Sequence, residues 1–289
     1  MSDDGRYGLT IIAFVGSVFS PYYAWALRRR AASAEDHCCL NVALYGRGAR
    51  RWTMTERGHR HVQRSADRFV IGPSDLHWDG SALTVAIRER AVPFGQKVVG
   101  RVRVLPEQLF PFSTALDDGG RHRWGPLAPT ARVEVEMSDP SLRWQGHAYF
   151  DSNEGDEPVA QAFTEWDWSR SLLRDGSTAV LYDVRQRHGP DRLLALRFTP
   201  QGTVEPFTAP PRHGLPRTAW RIGRTMRSDA GHAPRITQTL EDTPFYVRSV
   251  LSSGLLGETV TTMHETLNVP RFTSVPVQLM LPWRMPRVR

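Results

Sequence analysis

The residues best suited to chemistry lie in one window of the chain. Between residues 147 and 168 stand six carboxylates, Asp151, Glu154, Asp156, Glu157, Glu165 and Asp167, with no lysine or arginine, in a protein of net charge +7. Tyr149, Phe150, Phe163, Trp166 and Trp168 share the window, and Trp124 and Trp144 precede it. Large aromatics beside a carboxylate exclude water and raise its pKa, which keeps an acid able to donate a proton. Their π faces can also stabilise a passing cation. Asp151, directly after Tyr149 and Phe150, is the best acid candidate, whereas Glu154, Asp156 and Glu157 sit around a glycine and read as solvated. The same residues also suit a purely structural part: a strand running into an Asx turn, then a strand whose two indoles fill a core.

Other chemistries find little support. His37-Cys38-Cys39 offers metal-ligand types, but neighbouring side chains on a strand point to opposite faces, so no shared ion is expected. The only two cysteines are adjacent, which excludes a disulfide framework and favours a reducing compartment. Gly46-Arg47-Gly48 lacks the third glycine and following helix of a dinucleotide loop. His59, His61, His213 and His232 lie among arginines and prolines as surface residues. No nucleophile elbow, Walker loop or zinc-protease pattern occurs. The expectation is a site without metal or cofactor.

The elements that must position such a site are strands. Short alternating or β-branched runs recur at residues 40–45, 67–71, 82–87, 98–104, 132–136, 179–185, 193–198, 236–240, 246–251 and 275–279, punctuated by turn residues. Asp79-Gly80 predicts a two-residue hairpin, and the stretch 209–216, rich in proline, predicts a loop. Valines alternate with charges over 98–104 and 131–136, so those strands should have one wet face. Helical periodicity is arguable only at 21–34 and 160–168. The apolar run 9–19 is shorter than the roughly 20 residues a membrane span needs, and acids precede it where a signal peptide carries positive charge; a buried strand is predicted. The chain thus reads as all-β, two barrels or sandwiches in tandem, residues 1–165 carrying the acid and residues 166–289 following. Apart from Arg28-Arg29-Arg30 the basic residues, of which Lys97 is the single lysine, are dispersed, which argues against nucleic acid and leaves a basic surface for anionic lipid.

The blocks His37–Gly46, Met54–Gly58, Ile71–Ser74, Arg121-His122-Arg123-Trp124, Gly146–Asn153 and Phe163–Arg170, in order along the chain, resemble the carotenoid 1,2-hydratases, also called hydroxyneurosporene synthases. The resemblance implies a pair of lipocalin-like β-barrels and a cofactor-independent hydro-lyase that adds water across the terminal C1–C2 double bond of acyclic carotenoids such as neurosporene and lycopene in phototrophic bacteria. It implies a proton donor at Asp151, with His122, Trp124 and Tyr149 in support; from the residues themselves, Phe150, Trp166 and Trp168 are expected to border the substrate. It further implies a cytoplasmic protein resting on the inner or photosynthetic membrane, where its substrate resides. The family carries an aromatic-rich segment upstream of Asp3-Asp4-Gly5-Arg6, and a first strand with part of the pocket is expected there.

Under that reading Asp151 protonates C2, Trp124 and Tyr149 face the tertiary cation at C1, and His122 orients or deprotonates the incoming water. Two rivals remain at the sequence level. One is a lipocalin-like carrier without chemistry. The other is a terpenoid or alkaloid cyclase of the same fold.

Overall fold

In a computed structural model, which describes residues 1–29 and 32–288, the alternating valines do what their spacing predicts. The strands Lys97–Pro106 and His122–Asp139 pair antiparallel, with Val102 opposite Val135 and Val104 opposite Val133 on one face. Arg101 opposite Glu136 and Arg103 opposite Glu134 fall on the other, the latter pair 3.3 Å apart. Strands hold 54% of the chain and helices 12%, against roughly 20–25% strand in an ordinary globular protein, so the all-β reading stands. Arg30 of the arginine triplet lies outside the described residues.

The chain divides into two units that are interleaved in sequence. The first comprises Met1–Pro106, Ala131–Ala148 and Gln278–Arg289; the second comprises Glu107–Thr130 and Tyr149–Val277. In the first, Gly8–Phe14, Cys38–Tyr45, Arg51–Arg57 and Arg287–Val288 form a four-stranded sheet. The apolar run near the N-terminus is therefore a strand, as its length requires. Leu40, Val42 and Leu44 from this sheet pack against Ile71, Ile87, Val102 and Val135 from a larger sheet, which makes a sandwich. Both cysteines are buried free thiols, Cys38 within this core and Cys39 in a separate cluster with Met54 and Met285.

The second unit is built on a seven-stranded antiparallel sheet, ordered Val204–Pro206, Arg192–Phe198, Thr178–Gln186, Phe163–Leu172, Glu258–Asn268, Tyr246–Leu255 and Arg235–Asp242. Its two edge strands do not pair with each other among the described residues, so of the expected barrel or sandwich the sheet takes the open, sandwich-like form.

Local departures from the sequence reading have physical causes. Asp79 Oδ1 accepts the backbone N–H groups of Ser81 and Ala82, both at 2.8 Å, and this Asx turn widens the predicted two-residue hairpin to the four residues between Trp78 and Leu83. Within the predicted loop, Arg212–Gly214 pairs with Thr225–Arg227 because Arg212 and Arg227 both close on the buried carboxylate of Asp183. Of the two predicted helices, one is Pro21–Arg28, started by the Ser20 hydroxyl accepting from Tyr23 N. The other is only the turn Val159–Ala162, since Phe163–Leu172 is drawn into the sheet. The run at 275–279 belongs to a helix, Val275–Arg284, with Val277 and Leu281 buried four residues apart and Val275, Leu279 and Trp283 exposed. A short apolar run satisfies either period until its neighbours choose.

One close approach bears directly on the site. A Cβ added to Gly125 would sit 2.5 Å from the carbonyl oxygen of Phe112. Gly125→Ala should force the segment carrying Phe112 away from Trp124 and cost about 1–3 kcal/mol; thermal denaturation checks this, and an unchanged Tm would mean that the backbones separate freely.

Candidate active site

Tyr149 and Asp151 are two residues apart on the strand Ser141–Gly155, so alternation turns them to one face and Phe150 to the other. Tyr149 donates its hydroxyl to Asp151 Oδ2 at 3.1 Å, and Trp124 donates Nε1–H to the same oxygen at 2.9 Å. Asp151 Oδ1 takes no hydrogen bond among the described residues, so it is the oxygen available to carry a proton. Trp124 is only 1% exposed. Its indole is held edge-on by Phe112 at 6.5 Å, Tyr182 at 5.8 Å and Phe198 at 6.3 Å.

The central strand Phe163–Leu172 supplies the opposite wall. Trp166, Trp168 and Arg170 share one of its faces by alternation. The Trp168 ring lies 5.3 Å from that of Tyr149, and the Arg170 guanidinium stands over the same phenol at 5.3 Å. Register places Tyr182 on one side of Trp168 and Glu265 on the other. Side chains directly opposite across antiparallel strands share a face. Trp166 contacts Phe163 edge-on at 5.9 Å; the two indoles thus differ, Trp168 touching the acid's partner and Trp166 lying one step farther along the strand. Sequence reasoning passed over Arg170, Tyr182 and Glu265. Tyr182 was legible in principle, since pairing the runs 163–172 and 178–186 as a hairpin sets it opposite Trp168.

Burial pushes the Asp151 carboxyl up to about 6, and the nearby charge of Glu265 adds to this, while the bonds from Trp124 and Tyr149 and the charge of Arg170 pull the other way. Burial likewise raises the Tyr149 phenol, helped by Asp151, and lowers Arg170. Asp151, Tyr149 and Arg170 are nonetheless half-buried by surface. Part of each residue's surface therefore stays open to solvent.

His122 is placed elsewhere on the same unit. Its ring nitrogens are both engaged, Nδ1 with Asp117 Oδ2 at 3.2 Å and Nε2 with the carbonyl of Glu157 at 3.0 Å, and its backbone N–H donates to Asp117 Oδ1. No bond joins it to Asp151. Asp117, His122 and Glu157 present ligand-type atoms within 4.8 Å of one another. However, the Glu157 carboxylate is paired with Arg121 at 2.5 Å and the imidazole is already satisfied, so the trio does not fit a metal. Asp167 faces away from the aromatic wall and accepts from Thr225 and Thr266. Glu154 and Asp156 are exposed, as read.

The fold is an open, lipocalin-like β unit, and it holds a carboxyl group under indole and phenol donors and among aromatic rings. The description carotenoid hydratase CrtC matches residues 11–289, and the chain belongs to that family. It is 62% identical over 289 residues to the acyclic carotenoid 1,2-hydratase of Rubrivivax gelatinosus, covering 99% of this chain and 71% of that protein. The enzyme of the same description from Thiocapsa roseopersicina is 54% identical, with 100% and 71% covered, and that from Cereibacter sphaeroides 38%, with 96% and 98% covered. Among solved structures, a Nitrosomonas europaea protein described as a candidate AttH superposes with a TM-score of 0.63 at 14% identity, over 92% of this chain and 88% of that one. That likeness bears on the fold alone.

Trp124→Phe keeps most of the ring packing but removes one donor that favours the carboxylate. The Asp151 carboxyl should therefore titrate at a higher pH than in the parent, as followed by carbon NMR of labelled aspartate. A titration that stays put or moves down would show that the indole bond does not set its acidity.

Proposed function

We propose that this chain is a carotenoid 1,2-hydratase, adding water to the terminal C1–C2 double bond of an acyclic carotenoid such as neurosporene or lycopene. The observation that carries the reading is Asp151: a desolvated carboxyl whose two donors converge on Oδ2, leaving Oδ1 to hold the proton. Proton transfer from Oδ1 to C2 moves the π electrons and places positive charge on the tertiary carbon C1. The faces of Tyr149 and Trp168 border the acid and can share that charge, an effect worth about 2 kcal/mol or more when desolvated. Trp124 and Tyr149 stabilise the carboxylate that is left. Water then adds to C1. No step calls for a metal or redox group.

His122, with both ring nitrogens committed, acts as a positioning residue: it ties the strand bearing Trp124 to the turn at Asp117 and to the backbone at Glu157. Phe150, on the opposite face of its strand from Asp151, supports the wall from behind.

The polyene is too apolar to travel free in water, so we place the protein against a membrane from the cytoplasmic side. Val275, Leu279 and Trp283 are exposed along one face of the helix Val275–Arg284, Trp283 to 74%, and the net charge of +7 favours anionic head groups. Among the described residues, no helix is long and apolar enough to cross a membrane.

Asp151→Asn should lower hydration of lycopene about 10²–10⁴-fold, read as the mass of the hydrated product; near-parental turnover would remove Asp151 as the donor. A product of unchanged mass would indicate ring closure instead, and binding without product a carrier. The acid form works, so the rate should fall about tenfold per pH unit above about 6, with Tyr149, Arg170 and Glu265 the groups facing the acid. A flat profile to pH 8 would contradict this.

The same shift has a stability sign. A carboxyl raised in the folded state costs stability as pH climbs through its folded pKa. Asp151→Asn should therefore be inactive yet more stable at pH 8, by up to about 3 kcal/mol for a shift of about two units. Equal or lower Tm at that pH would show that the charged side chain is well accommodated.

A further inference from the structure

The hydration reading has a second proton to place. Water that adds to C1 must lose a proton. Asp151 Oδ2 is held by Trp124 and Tyr149 and its Oδ1 serves C2 rather than the water at C1 under that reading, and His122 has both ring nitrogens bonded. On the same sheet face as the aromatic wall stands a second carboxylate in a different setting. Glu265 is directly opposite Trp168 across antiparallel strands, and Trp168 touches the phenol that donates to Asp151. Glu265 Oε1 accepts from Arg248 Nε at 2.8 Å, and the Arg248 side chain, 4% exposed, also lies 3.6 Å from Glu241. Asp151 by contrast has no cation in contact: Arg170 lies over Tyr149 and acts on both carboxyl groups only through space. Glu265 in turn acts through space on Asp151, Arg170 and Tyr182. A carboxyl group with no cation in contact and a second one held by a guanidinium are suited to divide acid and base roles between them.

Resting on the hydration reading, we propose that Glu265 is the base of the reaction, accepting the proton of the water that captures the C1 cation, while Arg248 holds its carboxylate in place. The electron count closes. The O–H bond of Asp151 breaks as the C2–H bond forms, and the π pair leaves C1 cationic. A lone pair of water forms the C1–O bond, and the released proton goes to a Glu265 oxygen. Glu265 and Asp151 end as acid and carboxylate, and return of that proton to Asp151 through solvent restores the starting state. Arg170, between the two groups in charge terms, offsets whichever one is negative. The arrangement also explains why Arg248 carries a second acidic neighbour: protonating Glu265 leaves the guanidinium paired with Glu241.

The test separates the two proton transfers. Parent, Asp151→Asn and Glu265→Gln proteins are incubated with lycopene in D2O, with hydrated product and deuterium in recovered lycopene both read by mass. In Glu265→Gln, hydration should fall on the order of 10²-fold or more, while deuterium continues to enter recovered lycopene as Asp151 protonates C2 and the uncaptured cation loses a proton back. Asp151→Asn should lose both. Hydration by Glu265→Gln within about threefold of the parent overturns the assignment, and so does joint loss of hydration and exchange with lycopene still bound. Hydration surviving in Asp151→Asn would instead sink the acid assignment and the reading on which this one rests. If Glu265→Gln does not fold, Glu265→Asp decides: it keeps the charge for Arg248 but withdraws it by one methylene, so turnover at least tenfold down with lycopene binding intact supports the proposal, and parental turnover overturns it.

Discussion

The convergence of two donors on one oxygen of a desolvated carboxyl group is the constraint around which the second unit is organised. As the proposed proton donor, Asp151 must be dry enough to keep its proton and well enough bonded to release it. Burial alone would hold the proton too tightly, and the Trp124 and Tyr149 bonds alone would strip it. Each donor is in turn fixed by rings: Trp124 by Phe112, Tyr182 and Phe198, and Tyr149 by Trp168 and the overlying Arg170. Edge-to-face packing of this kind is directional, so the rings set the angle of the donors as well as excluding water.

The sheet of the second unit separates two kinds of chemistry by alternation. One face of Phe163–Leu172 presents Trp166, Trp168 and Arg170 to the acid, while Asp167, Ser169 and Ser171 turn to the other. There Asp167 accepts from Thr225 and Thr266, and Ser171, Thr262 and Ser253 form a chain of hydroxyl bonds. Satisfied polar groups cost little when buried, so this face can be rigid without being apolar. A rigid backing is what a proton donor needs, because proton transfer is sensitive to small errors of placement.

Much of this was legible beforehand. The valine and charge alternation of 98–104 and 131–136 assigned strands and faces correctly, and the acid-rich aromatic window singled out Asp151. Where the reading slipped, the cause was competition between local and longer-range interactions. The Asp79 side chain captured two amides and opened the hairpin. The run at 275–279 followed a helical period because burial fell on Val277 and Leu281. The strand at 212–214 exists because Asp183 draws two arginines to it.

The sequence by itself determined the strand content and set the proposed acid, Asp151, among aromatic residues, since these follow from residue type and period-two spacing. Only the tertiary structure decided what each neighbour does. His122 and Trp124 are two residues apart on one strand, yet one is consumed in bonds to Asp117 and Glu157 and the other reaches Asp151. Glu265, 114 residues beyond the acid in the chain, comes to its wall through strand register alone. Register between distant strands is fixed by the whole set of pairings and packed faces, which no local pattern encodes.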